Sequence, residues 1–136
     1  MNIKRVLSVH AVLSLMAGAV LYFLFRPRTL FLFWLSGGGI LASRSFPGDT
    51  VIRYHLPDAF WSGALCFSLF RLHLPAGWKA VLWSAVAFGC GCTWEALQYF
   101  DLVSGTADVL DCIAYGLGSL YALCIYYFLL KRGKKQ

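Results

Sequence analysis

Three long apolar runs dominate the chain, separated by short charged clusters. Val6 to Phe25 is the first, bracketed by Lys4-Arg5 and Arg26-Pro27-Arg28. Ala80 to Phe100 is the second, and Val109 to Leu130 the third, closed by Lys131-Arg132. A hydrocarbon layer about 30 Å thick takes roughly 20 helical residues to cross, so each run predicts a transmembrane helix. Pro57 to Leu74 is a weaker candidate, with Asp58 at its start and Arg71 and His73 near its end. Charges at the ends of a span can snorkel to the headgroups, which makes a slightly short helix tolerable. The pattern predicts four helices, at about 6–25, 57–74, 80–100 and 108–130, in a single domain spanning 1–136.

Leu30 to Ala42 is apolar but too short to span, and Gly37-Gly38-Gly39 weakens it as a helix. It predicts an interfacial or re-entrant segment, with Trp34 at headgroup depth. Ala17-Gly18-Ala19 has the small residues of a signal-peptide cleavage site, yet Val20 to Phe25 continues the apolar run. An uncleaved first helix is therefore expected. Each proposed helix carries a small-xxx-small pair: Ser14/Gly18, Ala59/Gly63, Ala85/Gly89 and Ala114/Gly118. Such pairs let helix backbones approach closely, which favours a tight bundle.

Composition narrows the class. The 136 residues are 60% hydrophobic and 13% charged, against about 25% charged in a soluble domain. Too few polar side chains exist to cover a water-facing surface. The aromatic share of 17% excludes disorder. The expected fold is all-α, an integral membrane bundle of four transmembrane helices in a lipid bilayer. Its net charge of +6 then carries orientation rather than a nucleic-acid patch, and no nucleic-acid partner is expected. With the amino terminus in the cytoplasm, eight Lys and Arg lie inside; Arg26, Arg28, Arg44 and Arg53 lie outside. That count predicts a multi-pass protein with both termini cytoplasmic. Cys66, Cys90, Cys92, Cys112 and Cys124 all fall in apolar stretches and read as small apolar residues. Cys90-Gly91-Cys92 is too tight for a zinc knuckle, and no other metal-ligand spacing stands out, so neither metal nor cofactor is expected.

This orientation gathers ionisable residues at the outer face. Glu95 lies about a turn inside the third helix with Gln98 on the same side, and an acid inside a span must be neutral, paired or facing water. It reads either as a ligand, proton carrier or general base, or as an anchor to Arg53 or Arg26. Capping accounts for Asp58, behind Pro57, and for Asp108 in Gly105-Thr106-Ala107-Asp108. Asp111 is less readily explained; Asp108, Asp111, Tyr115 and Gly118 form a stripe suited to a cavity wall or close helix contact. His10 reads as a packing histidine, and His55 and His73 as interfacial. No Ser/His/Asp pattern assigns a catalytic residue.

These residues resemble the VanZ-like family of small bacterial membrane proteins. The resemblance rests on Leu56-Pro57-Asp58-Ala59-Phe60-Trp61, on Glu95-Ala96-Leu97-Gln98, and on Gly105-Thr106-Ala107-Asp108 followed by Asp111 and Gly118. Order and spacing match over roughly residues 50 to 123. Ala59 and Ser62 stand where many relatives carry a basic residue and a histidine. The resemblance implies a multi-helix protein of the bacterial cytoplasmic (inner) membrane, with an accessory role in cell-envelope processes or resistance to the glycopeptide teicoplanin.

Together these readings favour an outward-facing polar pocket over a catalytic centre. Asp58, Glu95, Gln98, Asp108, Asp111, Tyr115 and Arg53 would engage a lipid headgroup or envelope precursor. Two alternatives stand beside it. One is a membrane enzyme acting on a lipid-linked substrate, with Glu95 or Asp111 as general base. The other is a structural partner of a second membrane protein, with the acids as interhelical contacts.

Overall fold

The computed structural model describes residues 2–25 and 50–133. The segment Leu30 to Ala42, with Arg26, Arg28 and Arg44, lies outside them. Among the described residues every regular element is helical. α1 spans Ile3–Phe25, a π-helical turn covers Val51–His55, and α2 follows directly as Leu56–His73. α3 spans Trp78–Tyr99 and α4 Val109–Gly133. All four predicted helices are present, each with boundaries within three residues of those expected.

Local chemistry sets their ends. Pro57 and Asp58 occupy the first turn of α2, where a missing N–H costs nothing and an acid meets the positive end of the helix dipole. α2 stops at Leu74, whose left-handed backbone (φ 41°) lets its N–H reach the Phe70 carbonyl at 2.8 Å. Pro75 then bars continuation. At the start of α4, Asp108 Oδ1 accepts the Leu110 N–H at 2.8 Å.

Ile3–Tyr22, Trp78–Tyr99 and Val109–Gly133 are long and apolar enough to cross a membrane. α2 is not among these three. It sits at the centre of the bundle, packed on α1 and on α4 and touching α3. Asp58, Ser62, Gly63, Ala64, Cys66, Phe67 and Phe70 along it are buried. The outer helices show the reverse, leaving Val12 and Leu13, Val81 and Leu82, and Leu117 and Phe128 exposed. Apolar side chains turned outward suit a lipid environment.

The outer helices each meet their neighbours along one stripe. On α1, Leu7, Ser14 and Gly18 are buried, and Gly18 makes room for the Trp61 ring of α2. His10, half-buried on the same face, stacks on Phe67 with ring centroids 5.1 Å apart. α2 and α4 run parallel, and their hydrogen-bonded side chains are offset by 56 and 57 residues. Their backbones meet where an added Cβ on Gly118 would collide with the Ala59 carbonyl. On α3 the buried positions are Ala80, Ser84, Ala87 and Glu95. The pair Ala85/Gly89 does not make a seam, since Ala85 is exposed and nothing approaches Gly89. Gly91, on the other face, instead receives the ring of Tyr115.

Three buried serines join α2, α3 and α4. Ser62 donates to the Tyr115 carbonyl at 2.9 Å, so the 2.7 Å contact with Ser119 has Ser119 as donor. Ser84 donates to the Ser119 carbonyl at 3.2 Å. Further from the pocket described below, Tyr126 donates to the Pro75 carbonyl and Tyr127 to that of Gly77, each at 2.8 Å. These two bonds fasten α4 to the α2–α3 turn.

Gly118→Ala should destabilise the bundle by about 1–3 kcal/mol through overpacking against backbone that cannot move aside. Gly63→Ala, whose Cβ would lie 3.4 Å from the Gly118 carbonyl, should cost less. Thermal unfolding of the two variants in detergent measures the difference; equal melting temperatures would rule out the proposed seam.

Candidate functional site

The parallel course of α2 and α4 brings their starts to one end of the bundle. α3, running the opposite way, delivers its carboxyl-terminal residues to that end. Between them lies a pocket of about 560 Å³. Asp58, Glu95, Gln98, Asp108, Asp111 and Tyr115 all line it, joined by Trp61, Trp94, Ser104 and Thr106. Six of the seven residues singled out from the sequence therefore share one hollow. Arg53 is the exception: it sits half-buried in the π-helical turn and is not part of the lining.

Glu95 is 6% exposed; of the two arginines expected to anchor it, Arg26 lies outside the described residues. Glu95 Oε2 accepts the Asp108 backbone N–H at 2.9 Å, and its Oε1 accepts the Tyr115 hydroxyl at 3.1 Å. Both oxygens are thus satisfied, one by the α3–α4 loop and one by α4. Such pairing offsets the desolvation of a buried carboxyl group. Gly91, one turn before Glu95 on α3, clears the space that the Tyr115 ring fills.

Gln98 secures the next turn of the same wall. With its amide turned to satisfy both ends, Nε2 donates to the Thr106 carbonyl at 3.2 Å and Oε1 accepts the Trp94 indole N–H at 3.1 Å. Gly105 lies against this amide with φ +147°, and any side chain there would strike Gln98. Glycine is thus demanded twice, by backbone angle and by space.

His55 is the residue that sequence reasoning missed. It was expected at the interface, but it is 7% exposed at the junction of the π-helical turn and α2. Its Nδ1 stands 2.6 Å from Asp111 Oδ1, so the N–H donates to the carboxylate. A signal for it exists in retrospect. His55 lies three residues before Asp58, the spacing that stacks side chains along one side of a helix. Its partner lies 56 residues away, beyond any local pattern. His73, by contrast, is exposed and stacks on Trp83 with centroids 4.0 Å apart.

Asp108 lies close to this pair. A ligand atom from each of His55, Asp108 and Asp111 falls within 4.8 Å of the other two. The sequence offered no metal-ligand spacing, because these residues come from two parts of the chain. No family model, curated protein or solved structure matches this chain.

Replacing Glu95 by Leu should leave two donors without an acceptor and cost about 1–3 kcal/mol. Tyr115→Phe removes one bond and leaves the other, so its cost should be about 0.5–1.5 kcal/mol. Unfolding of both variants in detergent tests this order; a Glu95→Leu protein as stable as the parent would contradict it.

Proposed function

We propose that the chain is a binding protein of the bacterial cytoplasmic membrane, whose pocket takes the polar head of a lipid or lipid-linked envelope intermediate. The observation that carries this reading is the common pocket itself. Asp58, Glu95, Asp108 and Asp111, from three helices and a loop, converge with His55 near one end of an otherwise apolar bundle. Acidic groups inside a membrane domain are costly, and such groups commonly mark binding or transfer sites. Their chemistry favours a ligand rich in amines, amides or hydroxyls, which they can bind by charge-assisted hydrogen bonds. Trp61 and Trp94 beside the acids offer apolar faces to the rest of such a molecule.

The ordered motifs around Asp58, Glu95 and Asp108 support a place among VanZ-like proteins, and with it an accessory role in envelope processes or teicoplanin resistance. The distribution of Lys and Arg supports cytoplasmic termini and a pocket open to the outside. A reporter fused after Ser104 should therefore be active on the outer side of the membrane. Activity in the cytosol would reverse the topology.

A second reading rests on the His55–Asp111 bond. An imidazole oriented by a carboxylate is the arrangement of a general base, and the pocket also holds the hydroxyls of Ser104 and Thr106. Turnover of a lipid-linked precursor by the purified chain, abolished in His55→Gln, would favour this reading over simple binding.

Glu95→Gln and Asp58→Asn should each weaken headgroup binding at least tenfold. The test is titration of phosphatidylethanolamine into the full chain in detergent, with protein level and melting temperature followed in parallel. Unchanged affinity in both variants, at unchanged protein level, would reject the pocket as a headgroup site.

A further inference from the structure

The geometry points to a divalent-cation site formed by His55, Asp108 and Asp111, of the kind that holds Mn²⁺ or Zn²⁺ through mixed nitrogen and oxygen ligands. The three residues offer one imidazole and two carboxylates, a donor set suited to a first-row divalent ion and ill suited to one that prefers oxygen alone. One ligand atom from each lies within 4.8 Å of the other two. Ligands about 2.1 Å from a shared ion sit roughly 3.0–3.4 Å apart, so small side-chain rotations close the set. The His55–Asp111 contact of 2.6 Å must open slightly, and Asp108 must move in. An ion bound between imidazole and carboxylate takes the place of the proton they share, and that proton leaves to solvent.

The surroundings hold the ligands in place. Asp108 caps α4 at Leu110 through Oδ1, and its backbone N–H is held by Glu95. His55 is buried at the base of α2, and Asp111 is fixed in the first turn of α4. Asp108 and Asp111 also line the 560 Å³ pocket, which leaves room for coordination positions beyond the three protein ligands. A cation with open positions would add a site for a phosphate or another anionic oxygen to this acidic hollow.

The inference stands on ligand geometry and does not require the headgroup reading, so it is tested without lipid. Mn²⁺ and Zn²⁺ are titrated separately by calorimetry into the full chain in nonionic detergent. The expected result is saturable binding of at least one of the ions, at one per chain. Affinity should fall tenfold or more in Asp111→Asn and His55→Gln. Asp108→Asn, which keeps an oxygen to cap Leu110, should lose affinity to the same extent. Asp101→Asn, an exposed acid outside the pocket, should bind as the parent does. Circular dichroism and elution volume establish which variants fold, and the loss must appear in a folded one. No saturable binding of either ion by the parent would overturn the site. So would undiminished binding in Asp108→Asn and Asp111→Asn, which would place the ion elsewhere, for instance on the thiols of Cys92 and Cys112.

Discussion

The close parallel approach of α2 and α4 is the constraint on which the rest of the molecule depends. Gly118 permits it, because the Ala59 carbonyl occupies the space where a side chain would begin. Ser62 and Ser119 then lock the register through hydrogen bonds that no water competes for. With that register set, His55 and Asp58 at the head of α2 arrive beside Asp111 and Tyr115 at the head of α4. A shift of one helical turn would separate His55 from Asp111 and leave both without their partner.

The placement of polar groups follows from the cost of burying them. Between α2, α3 and α4 the mid-bundle polar contacts come from hydroxyls and a thiol, groups that can be satisfied by a neighbouring carbonyl. Among the described residues, carboxylates appear near one end, where the penalty in a membrane is smaller. Glu95 and Asp111 each meet a donor from another part of the chain, while Asp108 accepts locally from Leu110. The polar end therefore serves as a set of crosslinks as well as a pocket. Removing Glu95 would affect the α3–α4 loop and α4 together.

Three of the helices were legible because their runs are long and apolar enough to cross a membrane, and α2 because Pro57 and Pro75 bracket its weaker run. The candidate pocket was legible in part because Glu95, Gln98, Asp111 and Tyr115 stand out against apolar sequence. Small-residue spacing was a weaker guide on α3. Both Ala85/Gly89 and the stripe through Ala87 and Gly91 are available there, and nothing local says which face meets α4. The side chain of Tyr115, seeking room beside Glu95, decides for Gly91.

Among the described residues, the sequence by itself determined where helices run and where they end, since these depend on hydrophobic length, proline and capping within a few neighbouring residues. It also determined that acids would occur toward the ends of three helices. Only the tertiary structure decided their partners. Glu95 bonds to Tyr115 and the Asp108 backbone, and His55 turns inward to Asp111. These choices depend on the rotation and register of packed helices. Rotation and register are set by side-chain volume and backbone contact across dozens of residues, which no local pattern records.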